Sequence, residues 1–502
     1  MVYVKTRTYC LENFNAREIS VETDISRGLY HFSIIGMGDK AVEESKGRVQ
    51  SAIKNSDLRS LKSPNQKITV LLAPAYIKKE GSGFDLAIAM SYLLAVGIVN
   101  FNADNYIFIG ELSLNGEIRA PKNFLFLFRE IQKQNKEVII VTSLECKNLC
   151  EYFIDERIIY CKNIKEVLNL GNKETRKISM DTKQSPDKYT IATEQMDLKS
   201  EEIFQHIQGC ESAKRALVIA VSGRHNLLLV GPPGVGKTML AKSIPEINTP
   251  LSKAESFECT ALSQLNTNKT EFSPIIYPPF RDPHHTSSYS ALIGDAQLNP
   301  GEVTKSHNGF LFLDELPEFD SRAIDSLREP MESGRLTLSK AKGSTILPTK
   351  FTLIASMNPC KCGFRGSDYK KCTCRTIDAL RYSQKISGPM LDRFDMLIHI
   401  DRFEDRAGTI LEQGQLSINA ARQQVREARK NLASIKFSIK ISTKEKLNVI
   451  ARKLKLSRRG LAKITKVAKT IASLANSREV TMDHLLEAAS YRQQISKTYS
   501  GD

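Results

Sequence analysis

A phosphate-cradling loop constrains this chain more than any other stretch. Residues 231–238 read GPPGVGKT, a G-x-x-x-x-G-K-S/T pattern. They follow the apolar run Leu227, Leu228, Leu229, Val230 and precede a helical stretch. That strand–loop–helix context gives the pattern its meaning. Gly231, Pro232, Pro233, Gly234, Val235 and Gly236 form the loop, whose N–H groups would close around phosphates. The helix N-terminus behind it adds favourable dipole charge. Lys237 is expected to reach the β- and γ-phosphates of a nucleotide, and the Thr238 hydroxyl to ligate Mg²⁺.

Two later runs belong with that loop. Residues 310–316 read FLFLDEL, an apolar strand ending in two acids. Asp314 is expected to hold Mg²⁺, directly or through water, and Glu315 to polarise an attacking water. Residues 351–358, FTLIASMN, read as a third strand ending in Asn358, placed to orient water or the γ-phosphate. Further on, SGPMLDRFD (387–395) supplies Arg393, and SRR (457–459) supplies Arg458 and Arg459. Arginines of this kind most often form surface ion pairs. Their order along the chain, after the loop and the acids, favours a role at the nucleotide.

The rest of the 502 residues divides around this core. Residues 1–170 alternate strand-like and helix-like stretches. Within them, 68–73 and 137–141 are β-branched apolar runs, and 84–96 is a helix-length apolar segment closed by Gly97. Residues 171–197 are polar and read as a linker. Residues 198–405 contain the phosphate loop. Beyond 406 glycine is rare, and Lys/Arg alternate with apolar residues at helical spacing.

Four of the ten cysteines crowd into NPCKCGFRGSDYKKCTCR (358–375). The N-terminus has no apolar signal core and no run of 18 apolar residues exists, so the chain is expected in the cytoplasm, off the membrane, with its thiols reduced. Cys360, Cys362, Cys372 and Cys374 then supply the four thiolates of a closed tetrahedral zinc site. Cys-x₂-Cys spacing is commoner than Cys-x-Cys, and a set of free reduced thiols is the alternative. The loop lies between Asn358 and Arg393, where a zinc staple would fix the segment carrying the arginine. The metal is read as structural because four thiolates leave no ligand position open for catalysis. His284 and His285 are read as structural and left out of the site.

GPPGVGKT, LFLDELPEF, the SMNPC segment and SGPMLDRFD, in this order, resemble AAA+ ATPases of the magnesium-chelatase-like group, and within it the YifB/ComM family. PFRDPHHTSS (279–288), GEVTKSHNGFLFLDELPEF (301–319) and LREPMESG (327–334) extend the match almost end to end. The resemblance implies an ATP- and Mg²⁺-dependent homo-hexamer with Asn358 as sensor 1, Arg393 as a finger acting on the neighbouring subunit's nucleotide, and Arg459 as sensor 2. A finger acting in trans needs a head-to-tail ring with a central pore. The implied fold is an N-terminal Lon-protease-like (ribosomal-S5-like) α+β domain over 1–170, an AAA+ P-loop α/β core over 198–405 and a C-terminal helical lid over 406–502. Residues 80–97 and 110–120 carry the Lon-like resemblance. Asp85 stands where the nucleophile of the Ser–Lys dyad would be, Ser82 sits in a shifted register, and apolar residues around Leu125 replace the dyad lysine. A serine without a positioned base is a poor nucleophile, so this domain is expected to assemble or to contact DNA without catalysis.

Charge points to the partner. The net charge is +16, and residues 421–470 hold sixteen Lys/Arg against only Glu427 and Glu445. Such a concentration suits a polyanion, although it also describes a solvated helical face. Residues 335–351 read as a hairpin whose Lys340 and Lys342 flank a turn where related ring helicases grip DNA. The expected function is a DNA motor on single-stranded or branched DNA, a branch-migration or helicase factor in recombination and natural transformation. The rival is a chelatase-type ATPase that remodels a partner protein without DNA. An ATP-dependent protease is disfavoured by the missing dyad.

Overall fold

The computed structural model describes residues 2–171, 203–400, 416–439 and 457–500, apart from 13–14, 37, 39, 57, 59–65, 78, 80, 100, 135–136, 154–156, 208–209, 266–272, 296–298, 341–342 and 368–369. The chain forms two units, Met1–Gln195 with Thr260–Pro274, and Met196–Cys259 with Ile275–Asp502.

In the first unit, β1 (Val2–Glu12) and β2 (Asn15–Arg27) form a long antiparallel hairpin. Strand β3 (His31–Ile35) is followed by α1 (Lys40–Asn55) and β4 (Gln66–Ala73). The sheet order is β1-β2-β4-β3, with β3 parallel to β4. In β4, Ile68, Val70 and Leu72 alternate into the core, as the two-residue strand period requires. Helix α2 (Asp85–Ala95) is almost entirely buried, from Leu86 to Leu93. A helix that is apolar all round belongs in a core, and each fully buried Leu, Ile or Met there contributes about 1.5–3 kcal/mol of transfer free energy. It stops at Gly97, whose φ of 74° suits a left-handed cap. Strands β5 (Tyr106–Phe108), β6 (Glu111–Leu112) and β7 (Ile118–Arg119), helix α3 (Phe124–Gln134), and β8 (Ile139–Ser143) and β9 (Ile158–Cys161) follow, with shorter helices among and after them. Strands β5, β8 and β9 form a parallel sheet.

The Lon-like positions have definite partners. Asp85 is fully buried and accepts from Arg48 Nε at 2.7 Å and from the Leu112 N–H at 3.2 Å. The Ser82 hydroxyl donates to Glu111, and the buried Lys79 ammonium donates to the Pro74 carbonyl. Leu125 is buried on α3. The Asp85 carboxylate is thus paired with Arg48 and the Leu112 N–H.

The second unit contains α4 (Glu211–Gly223), β10 (Leu227–Val230), α5 (Lys237–Lys242), β11 (Phe280–Arg281), β12 (Phe310–Leu313), α6 (Arg328–Ser333), β13 (Arg335–Lys340), β14 (Gly343–Pro348), β15 (Thr352–Met357), β16 (Met396–His399), α7 (Ile418–Ser434), α8 (Arg458–Leu474) and α9 (Met482–Ser500). Five strands run parallel in the order β11-β12-β15-β10-β16. Strands β10, β12 and β15 are buried along their whole length, which is why they read as unbroken apolar runs and not as alternation. Ligand crevices of such sheets lie beyond the carboxyl ends of the strands, where β10 and β12 deliver the loop and the acids.

The C-terminal helices join the same core. Ser457 Oγ caps α8 by accepting from the Gly460 N–H at 3.1 Å. Ile464, Val467, Ala468 and Ile471, at helical spacing, pack in one cluster with Leu217, Leu229 and Ile398. The basic stretch 421–470 is partly internal. Arg429 donates to Thr249 Oγ1 at 2.6 Å and to the Val221 carbonyl at 3.0 Å, and burial pushes its pKa down to about 9. Lys463 donates to the Asp392 and Phe394 carbonyls, and Arg422 to the Glu246 carbonyl. Residues 440–456 of this stretch lie outside the described residues.

Candidate functional site

The phosphate loop emerges from the end of β10 and closes at Gly236, whose φ of 86° precedes α5 and needs the absence of a Cβ. Lys237, first in that helix, is buried. Its ammonium donates to the Gly231 carbonyl at 2.7 Å, the Pro232 carbonyl at 2.8 Å and Asn358 Oδ1 at 3.1 Å. Asn358 stands just past the end of β15, next to β10 in the sheet, so strand pairing brings it to the loop. Burial pushes the Lys237 pKa down to about 8, while Asp314 and Glu315 hold it partly up.

Asp314 follows β12. Its carboxylate accepts from Thr238 Oγ1 at 2.8 Å and from the Ser356 hydroxyl. Octahedral Mg²⁺ holds its ligands at 2.0–2.1 Å, which puts neighbouring ligand oxygens about 3 Å apart. The Thr238–Asp314 separation fits two such positions. Glu315 has φ 54°, a left-handed turn that is rare for a residue with a Cβ. Its N–H donates to Asp314 Oδ1 at 3.1 Å and Ser356 Oγ at 3.2 Å, which fixes that turn. The Glu315 side chain is half exposed, with His285 Nδ1 3.8 Å from its carboxylate. Ser356 and His285 are thus close to the acids: Ser356 did not stand out in the sequence, and the histidine pair, read there as structural and left out of the site, places His285 beside Glu315. Ser356 looked like an ordinary strand residue, and the histidine pair had no spacing that ties it to Glu315.

The two arginines converge elsewhere in this unit. Arg393 Nη2 lies 2.7 Å from Glu332 Oε1, and Arg459 Nη1 lies 3.6 Å from the same oxygen. Arg393 is 13% exposed and Arg459 70%. Beside them opens a cavity of about 670 Å³ lined by Arg393, Glu332, Arg328, Glu329, Asp325 and Tyr289, among others. Glu332 on α6 was part of the family-like segment LREPMESG, but no pattern linked it to an arginine.

The four thiols of 360–374 do come together. Their sulfurs all lie within 4.8 Å of one another, with Cys360–Cys362 at 3.3 Å, Cys362–Cys372 at 3.5 Å and Cys360–Cys372 at 3.7 Å. Zn–S bonds of about 2.3 Å in a tetrahedron require sulfurs about 3.8 Å apart, so the cluster fits zinc. Burial works against the Cys362 thiolate. Hydrogen bonds from the backbone at Phe364 and Thr373, and from the neighbouring thiols, outweigh it and pull the pKa down to about 5. A low pKa suits a metal ligand.

Hairpin β13–β14 is antiparallel, with Lys340 opposite Gly343. Lys342 lies outside the described residues. No helix among the described residues is long and apolar enough to cross a membrane.

Comparison with known proteins covers nearly the whole chain. The family described as "Magnesium chelatase, subunit ChlI" matches residues 203–407, "Subunit ChlI of Mg-chelatase" matches 21–144, and "Magnesium chelatase, subunit ChlI C-terminal" matches 411–492. The chain is 33% identical to competence protein ComM of Haemophilus influenzae over 494 residues, 95% of each protein. It is 34% identical to YifB of Escherichia coli over 499 residues, 95% of this chain and 94% of that one. Lon protease 2 of Bacillus subtilis is 24% identical over 188 residues, 34% of each.

Proposed function

The chain belongs to the YifB/ComM family of magnesium-chelatase-like AAA+ ATPases, and from that premise we propose that it is a hexameric ATP-driven motor acting on single-stranded or branched DNA. The observation that carries the ATPase half is the convergence of Lys237, Thr238, Asp314 and Asn358 at the ends of β10, β12 and β15. Lys237 binds the β- and γ-phosphates. Thr238 and Asp314 hold Mg²⁺, which neutralises charge on those phosphates. Glu315 orients and polarises the attacking water, and Asn358 senses the γ-phosphate. Arg393 acts on the nucleotide of the neighbouring subunit, and Arg459, which shares Glu332 with it, serves as sensor 2.

The four cysteines hold a structural zinc ion, which ties the chain between Asn358 and Arg393. Residues 1–170 serve as a non-catalytic Lon-like domain, 171–197 as a linker, 198–405 as the AAA+ core and 406–502 as a lid, in a cytoplasmic protein. The ComM relative is named a competence protein, which supports a role on incoming DNA, as branch migration or unwinding during recombination. Lys340 and Lys342 are the DNA contacts.

One observation favours the rival, a chelatase-like remodeller of a partner protein. Arg422, Arg429 and Lys463 of the basic stretch are tied to backbone carbonyls of their own unit, so that charge is less available to a polyanion than its count implies. Salt dependence separates the two. A phosphate-gripping motor shows DNA-stimulated ATP hydrolysis, and its DNA affinity falls steeply with log salt. A protein remodeller shows neither.

A further inference from the structure

The cysteine loop touches the phosphate loop itself. Gly363 comes directly after Cys362, and its N–H donates to the Cys360 carbonyl at 2.9 Å, closing a tight turn around the first two thiols. Its φ is 83°, and a Cβ added there would stand 2.5 Å from Pro233 Cδ and 3.2 Å from Cγ. No real Cβ approaches another carbon so closely, so the turn is packed against the third residue of GPPGVGKT with no room to spare. A few residues earlier, Asn358 meets Lys237 at 3.1 Å. The segment therefore presses on the phosphate loop at two points, and Cys360 and Cys362 lie between them.

We propose that the tetrathiolate site is the clamp of the nucleotide pocket: zinc bound by the four cysteines holds Gly363 against Pro233, and this sets how tightly the phosphate loop grips nucleotide in the same subunit. The proposal rests on the assignment of zinc to these cysteines and extends its role from the segment leading to Arg393 to the phosphate loop. The geometry explains why the clamp needs its metal. Cys372 and Cys374 come from ten and twelve residues further along than Cys362, across the stretch that contains Lys370 and Lys371. Drawing the two arms of this loop together requires more than weak thiol hydrogen bonds, whereas four Zn–S bonds fix both. With the arms fixed, the Cys360–Gly363 turn cannot move away from Pro233. The Pro232 carbonyl beside it, which accepts from Lys237 at 2.8 Å, keeps its orientation.

The test uses the full-length protein purified under reducing, chelator-free conditions. Zinc is measured by elemental analysis, and affinity is measured by fluorescence titration with a fluorescent ATP analogue. Gly363→Ala adds both the clash and left-handed strain, and it leaves every thiol in place. It is expected to keep about one zinc per chain and to weaken nucleotide binding on the order of tenfold or more. Cys374→Ser is expected to lose zinc and to weaken binding comparably. The double variant should bind no more weakly than the weaker single one, because both break one link. Gly366→Ala is the control for strain and misfolding. Gly366 has φ 77° with nothing within 4 Å of its would-be Cβ, so this change should leave nucleotide affinity unaltered. Wild-type affinity in Gly363→Ala, or equal losses in Gly366→Ala and Gly363→Ala, would overturn the proposal. Zinc present in the unmodified protein, with affinity indifferent to its removal, would overturn the proposal alone. Absence of zinc from the unmodified protein would overturn it together with the metal assignment.

Discussion

The Arg393 guanidinium is paired with Glu332 of its own subunit at 2.7 Å, and the same carboxylate oxygen lies 3.6 Å from Arg459. Two arginines that the family pattern assigns to nucleotide phosphates thus share one acid on α6. Arg393 is mostly buried, and its Nε has no hydrogen-bond partner among the described residues. A buried donor left unsatisfied costs about 1–3 kcal/mol, so the guanidinium has free energy to gain from an additional acceptor such as a phosphate oxygen.

For Arg393 in trans, Arg393→Ala is expected to leave nucleotide affinity near wild type and to depress hydrolysis by a factor on the order of 10³, as for other arginine fingers. Mixing Arg393→Ala with Lys237→Ala subunits should restore part of the activity, because each spoils a different half of a shared site. Steady-state ATPase of titrated mixtures measures this, and mixtures that never exceed the sum of their parents would exclude action across an interface.

Lys237 and Glu315 should separate binding from hydrolysis. Lys237→Ala removes the cation held by Gly231, Pro232 and Asn358 and should abolish tight nucleotide binding. Glu315→Gln keeps size and turn but loses the base, so it should bind ATP and barely hydrolyse it. Equilibrium binding and single-turnover hydrolysis measure the two. Near-normal turnover in Glu315→Gln would remove that residue from the water-activating role.

The pH dependence of binding is set by Lys237. Its pKa is lowered to about 8 by burial, below the usual lysine range, so its charged form begins to disappear above pH 8. Phosphate requires the protonated amine. Affinity for a non-hydrolysable ATP analogue should therefore be flat below pH 7 and fall by about tenfold per unit well above pH 8, the slope of one linked proton. The sign for stability is opposite. The depressed pKa means that the unfolded chain holds more protons between pH 8 and the ordinary lysine value, so this group's penalty on folding shrinks as pH rises through that window. A flat affinity profile from pH 7 to 9.5 would show that the amine titrates elsewhere.

The hairpin lysines carry the DNA prediction. Replacing Lys340 and Lys342 with alanine should preserve assembly and basal ATPase, abolish DNA stimulation and flatten the salt dependence of DNA binding. Lys340 is the last residue of β13 and pairs with Gly343 of β14. Filter binding at several salt concentrations measures the slope. An unchanged slope would shift the DNA grip away from this hairpin.

The sequence exposed some elements and hid others for physical reasons. Strand β10, the loop and α5 were legible because phosphate binding demands glycines, a lysine and a hydroxyl at fixed spacing between a buried strand and a helix start. Helix α2 was legible from its unbroken apolar run and closing Gly97. The four-thiol cluster was legible because its ligands are close in sequence as well as in space. Ser356 on Asp314, Glu332 on Arg393 and Gly363 on Pro233 were not. Each joins residues from different elements, and ordinary serine, glutamate and glycine carry no pattern that names a distant partner. Charge misled in one respect. Arg429 and Lys463 counted toward a basic surface, yet long side chains can turn inward when carbonyls receive them. The grouping of Thr260–Pro274 with the first unit likewise has no local signature.

Migration of a synthetic four-way DNA junction tests the central claim most directly. The unmodified protein with ATP and Mg²⁺ should convert the junction to its duplex products. Glu315→Gln should bind the junction and leave it intact, and raising the salt should weaken binding steeply. Junctions left unmigrated by a preparation that hydrolyses ATP, with no stimulation of that hydrolysis by DNA, would contradict the motor account and favour a remodeller of a partner protein.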